Sequence, residues 1–159
     1  MVRDIPDPGF AGDTGRADPE LAAALASYAV HPDRLHTQTL TQLRTVRLLV
    51  PVMAVLGEAE YDERDLTRDK SSNMAAVLMR GLDGRLALLA FTSTDSLRAW
   101  NYAARPVAVM AATAATAALQ DNASALVIDV AGPVMFVAED DDLRSLAAGA
   151  TGGEQPPGR

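Results

Sequence analysis

At 159 residues, with a formal net charge of −7 and 48% hydrophobic residues, the chain suits a single domain, because one core usually organises about 100 to 200 residues. It has no cysteine, which excludes disulfides, thiolate metal sites and cysteine nucleophiles and accords with a reducing, cytoplasmic setting. Its arginines are scattered within an acidic chain, so no patch is built to neutralise phosphates and nucleic-acid binding is disfavoured.

Residues 1–17 are rich in Gly, Pro and Asp with no hydrophobic period, and they read as a flexible arm. They lack the charged and apolar regions of a secretory signal, so export by that route is not expected. Asp18-Pro19-Glu20 then supplies an N-cap, a proline at the first helical position and an acid in the first turn. Leu21, Ala24, Leu25 and Tyr28 follow at helical spacing and predict a first helix. His31-Pro32-Asp33 repeats the start signal, and His36, Leu40 and Leu43 place one stripe on a second helix.

From Thr45 the pattern changes to the β-rich run Val46, Leu48, Leu49, Val50, Val52, Met53, Val55 and Leu56. Pro51 cannot donate to a ladder, which implies an edge position, a bulge or a strand start there. The run from Leu48 to Gly57 spans about ten residues, whereas a membrane-crossing helix needs roughly 20, so no membrane partner is expected. Glu58 to Ser72 is polar and acidic and suits an exposed connection.

Met74–Arg80 and Arg85–Phe91 are apolar runs separated by Gly81-Leu82-Asp83-Gly84, which predicts an antiparallel hairpin. Thr92 to Ser96 offers hydroxyls and an acid for a helix start leading to Leu97 and Trp100. A strand over Pro106–Met110, an alanine-rich helix over Ala111–Gln120 and a strand over Ala125–Val130 follow. After a Gly132-Pro133 turn, Val134–Val137 reads as the last strand, and Glu139 to Asp142 favour the dipole of a last helix carrying Leu143, Leu146 and Ala147. The ordered domain is therefore expected over 18–148, with a disordered tail at 149–159.

No catalytic residue or cofactor is expected. His31 and His36 have no G-x-S-x-G elbow beside them, and their spacing of five is off the i,i+4 pattern of a helical zinc pair. The acids between Glu58 and Asp69 lack the calcium-loop pattern, and phosphate-cradling glycine motifs are absent. Two constellations remain. Lys70-Ser71-Ser72-Asn73 enters the first hairpin strand and Thr92-Ser93-Thr94-Asp95-Ser96 leaves the second, which puts both at one end of an antiparallel pair. Lys70 beside the helix start would make a small anion site, although capping with a salt bridge to Asp95 is the simpler reading. Trp100 is either an exposed anchor or a core plug.

The run Ala90-Phe91-Thr92-Ser93-Thr94-Asp95-Ser96-Leu97-Arg98-Ala99-Trp100, with Arg105-Pro106-Val107 after it, resembles the signature of the SseB N-terminal domain. Arg47 to Val52, Lys70 to Met74, Asp83-Gly84-Arg85 and Ala125 to Pro133 are similar to further family segments in the same order, and the acid- and alanine-rich style resembles actinobacterial members. The resemblance spans about Ala22 to Ala147 and implies an α+β fold, with helices on a mixed, largely antiparallel sheet of about five or six strands, a common sheet size. It implies no reaction. The expected function is a non-enzymatic protein-binding or adaptor domain, with Lys70, Ser72, Asn73, Thr92, Ser93, Thr94, Trp100 and Arg105 as candidate contacts. A sensor of a small anionic metabolite, such as an amino acid or phosphate ester, is the alternative, and an enzyme using carboxylates is the third reading. Homodimerisation through an open sheet edge, at Pro51 or near Phe136, is left open.

Overall fold

A computed structural model describes residues 12–54 and 74–153. The first helix, α1 (Pro19–Val30), starts where the sequence marks it, with the Asp18 carboxylate accepting from the N–H groups of Glu20 and Leu21. His31 closes α1 by donating its N–H to Ser27, and Pro32 opens α2 (Pro32–Leu43) at once. The chain then forms β1 (Arg47–Ala54), β2 (Met74–Ala76), β3 (Leu78–Arg80), β4 (Leu86–Ala90), α3 (Thr94–Trp100), β5 (Arg105–Met110), α4 (Ala111–Gln120), β6 (Ala125–Ile128), β7 (Phe136–Glu139) and α5 (Asp141–Gly153). This is the expected α+β class.

The strands form two sheets. One is antiparallel in the order β2-β1-β5, and the other runs β3-β4-β6-β7 with a parallel pair at β4–β6. Leu49 and Phe91 join them by exchanging both backbone hydrogen bonds, each 2.8 Å. The expected hairpin is β3–β4, closed where Gly81 donates to Arg85 at 2.8 Å and Gly84 takes a φ of 86°.

Pro51, expected at an edge, bulge or strand start, lies instead inside the central strand β1. The reason is parity. Leu49 points its N–H toward Phe91, away from β5, and Pro51 two residues on shares that direction. Pro51 faces Pro106 across the β1–β5 pair, so both prolines fall where that ladder needs no N–H. On the other side, continuing the register past Val52↔Ala76 sets Pro51 against Val77. With no donor there, the Val77 carbonyl accepts from Leu89 of β4 at 3.3 Å, and the strand passes from one sheet to the other.

Helices α1, α2, α4 and α5 cover one face of the sheets, burying Leu48, Val50, Leu88, Leu126, Ile128 and Phe136 against Leu21, Leu43, Leu143 and Leu146. Ala111, Ala114, Ala115 and Ala118 form the buried stripe of α4, and their small side chains let the helix approach closely. The opposite face holds Leu49, Leu89, Phe91 and Val127 beneath Leu97 of the short α3. Phe136 stacks on His36 with ring centroids 4.9 Å apart and receives the edge of Tyr28 at 5.0 Å. His36 also places Nε2 at 2.7 Å from the Asp142 carboxylate, tying α2 to α5.

Two strands differ from expectation in their bounds. The strand expected over Ala125–Val130 stops at Ile128 because Asp129 turns into the left-handed region, with φ 56°. The last strand begins two residues late, at Phe136, which pairs with Ile128. Helix α5 continues to Gly153, and residues 12–17, read from composition as part of an arm, make specific contacts with the domain.

Candidate functional site

The polar centre of the molecule grows out of the end of β6. Its parallel pairing with β4 brings Asp129 beside Ala90, to which Asp129 donates its N–H at 3.0 Å. The left-handed turn at Asp129 then swings the chain away, and Gly132 donates back to the Asp129 carbonyl at 2.9 Å. The side chain, only 3% exposed, is left pointing at the start of α3. Its Oδ1 accepts from the Thr92 N–H and from the Ser96 hydroxyl, both at 2.8 Å, while Oδ2 accepts from the Thr92 hydroxyl at 2.7 Å. A buried carboxylate is costly unless it is paired or well hydrogen-bonded, and here three donors surround it.

Those donors are held by the cap of α3. Ser93 has extended backbone, and its Oγ accepts from the Ser96 N–H at 3.0 Å while the Ser93 N–H reaches the Ser96 Oγ at 3.3 Å. Serine therefore fills both ends of a capping box. Asp129 thus fixes Thr92, Ser93 and Ser96 as one unit.

Above this unit lies a cleft of about 530 Å³ between α1, α3 and the turn from β6 to β7. Ala22, Leu25 and Ala26 form one wall, Ser93, Asp95 and Ala99 another, and Pro133 with Val134 the third. The walls are chiefly apolar, with Thr92, Ser96 and Asp129 at the floor. Among the described residues the lining includes two carboxylates, Asp95 and Asp129, and no lysine or arginine. Ala17, from the segment ahead of α1, closes one end.

That segment is strapped down by Arg47. The guanidinium donates Nη1 to the Thr92 carbonyl at 2.7 Å, and its Nε and Nη2 grip the two oxygens of Asp13 at 2.7 and 2.9 Å. Nη2 also donates to the Arg16 carbonyl at 2.9 Å, and the Thr94 N–H donates to the Gly15 carbonyl at 2.8 Å. Hydrogen bonds from Arg47 hold the Asp13 carboxyl down from its ordinary 3.8 to about 2, against the opposing effect of burial.

The candidate residues that the structure describes fall at different places. Thr92 and Ser93 line the cleft, and Thr94 spends its amide on the strap. Trp100 is half-buried against Phe91, with centroids 5.7 Å apart, and does not face the cleft. Arg105 is exposed at the start of β5, opposite Val52. Lys70, Ser72, Asn73 and the acidic stretch from Glu58 to Asp69 lie outside the described residues. Asp129, Arg47 and Asp13 carry most of the polar architecture and were not among the candidates. The one signal for Asp129 was its place directly after the apolar strand Ala125–Ile128, where a charged residue has to find partners.

The chain matches the SseB protein N-terminal domain over residues 21–145. It belongs to that family. The matched span of the SseB domain contains every wall of the cleft from α1 to Val134, while the strap residues Asp13 to Ala17 lie just ahead of it. No curated protein and no solved structure matches the chain. No helix among the described residues is long and apolar enough to cross a membrane, and no group of three or more His, Asp or Glu among them could hold a metal ion.

Proposed function

We propose that this SseB domain is a binding module rather than an enzyme, and that its cleft receives an apolar side chain of a partner protein. One observation carries the reading. The cleft is apolar-walled and, at about 530 Å³, of a size that accommodates ligand groups, while the carboxylate at its floor already has both oxygens engaged. Asp129 is thereby a buttress for the cleft floor, its three hydrogen bonds committed to holding Thr92 and Ser96 in place. The anionic-metabolite reading is weaker on this geometry, because the lining carries carboxylates and the Thr94 and Ser96 amides at the helix start are taken by Gly15 and Ser93.

The test is selection from a displayed random-peptide library, followed by titration of the selected peptides against wild type and two cleft-filling variants, Ala22→Phe and Ala99→Phe. Both alanines are exposed on helices, so the larger ring fills the cleft without entering the core. The expected result is a set of peptides sharing one large apolar residue whose binding falls at least tenfold in both variants. Peptides that bind both variants as well as wild type overturn the reading.

A further inference from the structure

We propose that the strap Asp13–Ala17 sits, in cis, in the seat of the partner peptide, so that the partner carries a carboxylate four residues ahead of its large apolar side chain. This inference rests on the cleft reading above and extends it from a pocket to a peptide groove.

Arg47 anchors the strap. Its side chain is 11% exposed and its Nη1 is locked to the Thr92 carbonyl, which fixes the plane of the guanidinium and leaves the Nε–Nη2 edge as a preformed fork for a carboxylate. Asp13 fills that fork with two short hydrogen bonds. Two residues further, Gly15 offers its carbonyl to the Thr94 N–H, and four residues further, Ala17 reaches the cleft. A carboxylate, a backbone carbonyl and a cleft-directed side chain thus follow one another along an irregular, largely exposed segment.

The strap is a poor occupant of this seat. Its polar groups satisfy Arg47 and Thr94, yet its one cleft-facing side chain is a methyl in a space of about 530 Å³. Gly15 has a φ of 85° and a Cβ built on it would collide with the Thr94 side chain, so the segment lies against α3 only because a glycine stands there. A partner with the same acceptors and a leucine in place of Ala17 would satisfy the same donors and bury more apolar surface, which favours exchange. Asp13 is in this sense a competitor that keeps Arg47 paired until the partner arrives.

Fluorescence polarisation with labelled synthetic peptides tests this on the full chain. The probe is Asp-Thr-Gly-Arg-Leu, blocked at both ends, with two controls in which Asn replaces Asp or Ala replaces Leu. Asp13→Ala is expected to bind the probe about tenfold more tightly than wild type, because the charge-assisted competitor is gone. The Asn control is expected to lose that gain, and Arg47→Met to bind probe and Asn control alike. An Asp13→Ala protein that binds no tighter than wild type overturns the inference, as does an Asn control equal to the probe. The peptide-side change needs no altered protein, so misfolding of Arg47→Met does not obscure the answer. Binding that depends on Leu but not on Asp overturns the inference and leaves the cleft reading standing, whereas binding that depends on Asp but not on Leu overturns the cleft reading itself.

Discussion

Replacing Asp129 tests whether its carboxylate is structural, and the cost can be worked from its partners. In Asp129→Ala the Thr92 N–H is left buried without an acceptor, which costs about 1–3 kcal/mol. The Thr92 and Ser96 hydroxyls lose a charged acceptor but can turn toward water in the cleft or toward the Ser93 carbonyl, so they add about 1 kcal/mol together. Alanine at a φ of 56° adds about 1 kcal/mol of backbone strain. The total is about 3–5 kcal/mol. Asp129→Asn keeps an acceptor for the Thr92 N–H, offers an amide to a Thr92 hydroxyl that can accept, and tolerates the left-handed backbone, so about 1 kcal/mol is expected. For a domain of this size each kcal/mol moves Tm by roughly 4 °C, giving a fall of about 12–20 °C for alanine and about 4 °C for asparagine. Urea unfolding with an unchanged m-value checks that both act on the native state. If alanine costs under about 1 kcal/mol, the carboxylate is no buttress. If asparagine matches alanine, the negative charge itself is required and the structural account of Asp129 fails.

The Asp13 carboxyl should titrate at about 2 by carbon-13 NMR, and Arg47→Met should return it toward 3.8. Because the folded value is depressed, the ion pair's contribution is complete above the unfolded value near 3.8 and is lost as pH falls through about 2. Gly15→Ala should release the strap, since both the left-handed backbone and the Thr94 side chain oppose a Cβ, and trypsin should then cut after Arg16 severalfold faster than in wild type. Equal cleavage rates would show that Gly15 does not hold the segment in place. Phe136→Ala should cost about 3–5 kcal/mol in urea unfolding, because the ring is fully buried and contacts both Tyr28 and His36.

Much of the fold was readable because its signals are local. Asp18-Pro19 caps α1, His31-Pro32 starts α2, Asp83-Gly84 lies in the β3–β4 turn, and the alanine run from Ala111 to Gln120 is α4. What escaped depends on pairings between distant residues. Pro51 argues for an edge in isolation, and only its register opposite Pro106 shows why a central strand accepts it. Residues 12–17 have the composition of an arm, yet a single distant guanidinium, Arg47, gathers Asp13 and the Arg16 carbonyl. The hydroxyls of Thr92 to Ser96 were rightly read as a helix start, but their acceptor, Asp129, stands 37 residues beyond Thr92, and its charge at the end of an apolar strand names no partner. Trp100 drew attention as the lone tryptophan, and its packing on Phe91 follows from the short α3 having one sheet face to cover.

The central claim is that the cleft between α1, α3 and Pro133-Val134 holds a partner's apolar side chain. Its most direct test is methyl NMR on protein labelled at alanine, leucine and valine, titrated with a selected peptide. The account predicts that Ala22, Leu25, Ala26, Ala99 and Val134 shift together, and that the same peptide leaves Ala22→Phe unshifted. Shifts confined to methyls outside the cleft, such as Val107 on β5 or Leu82 at the hairpin tip, would contradict it.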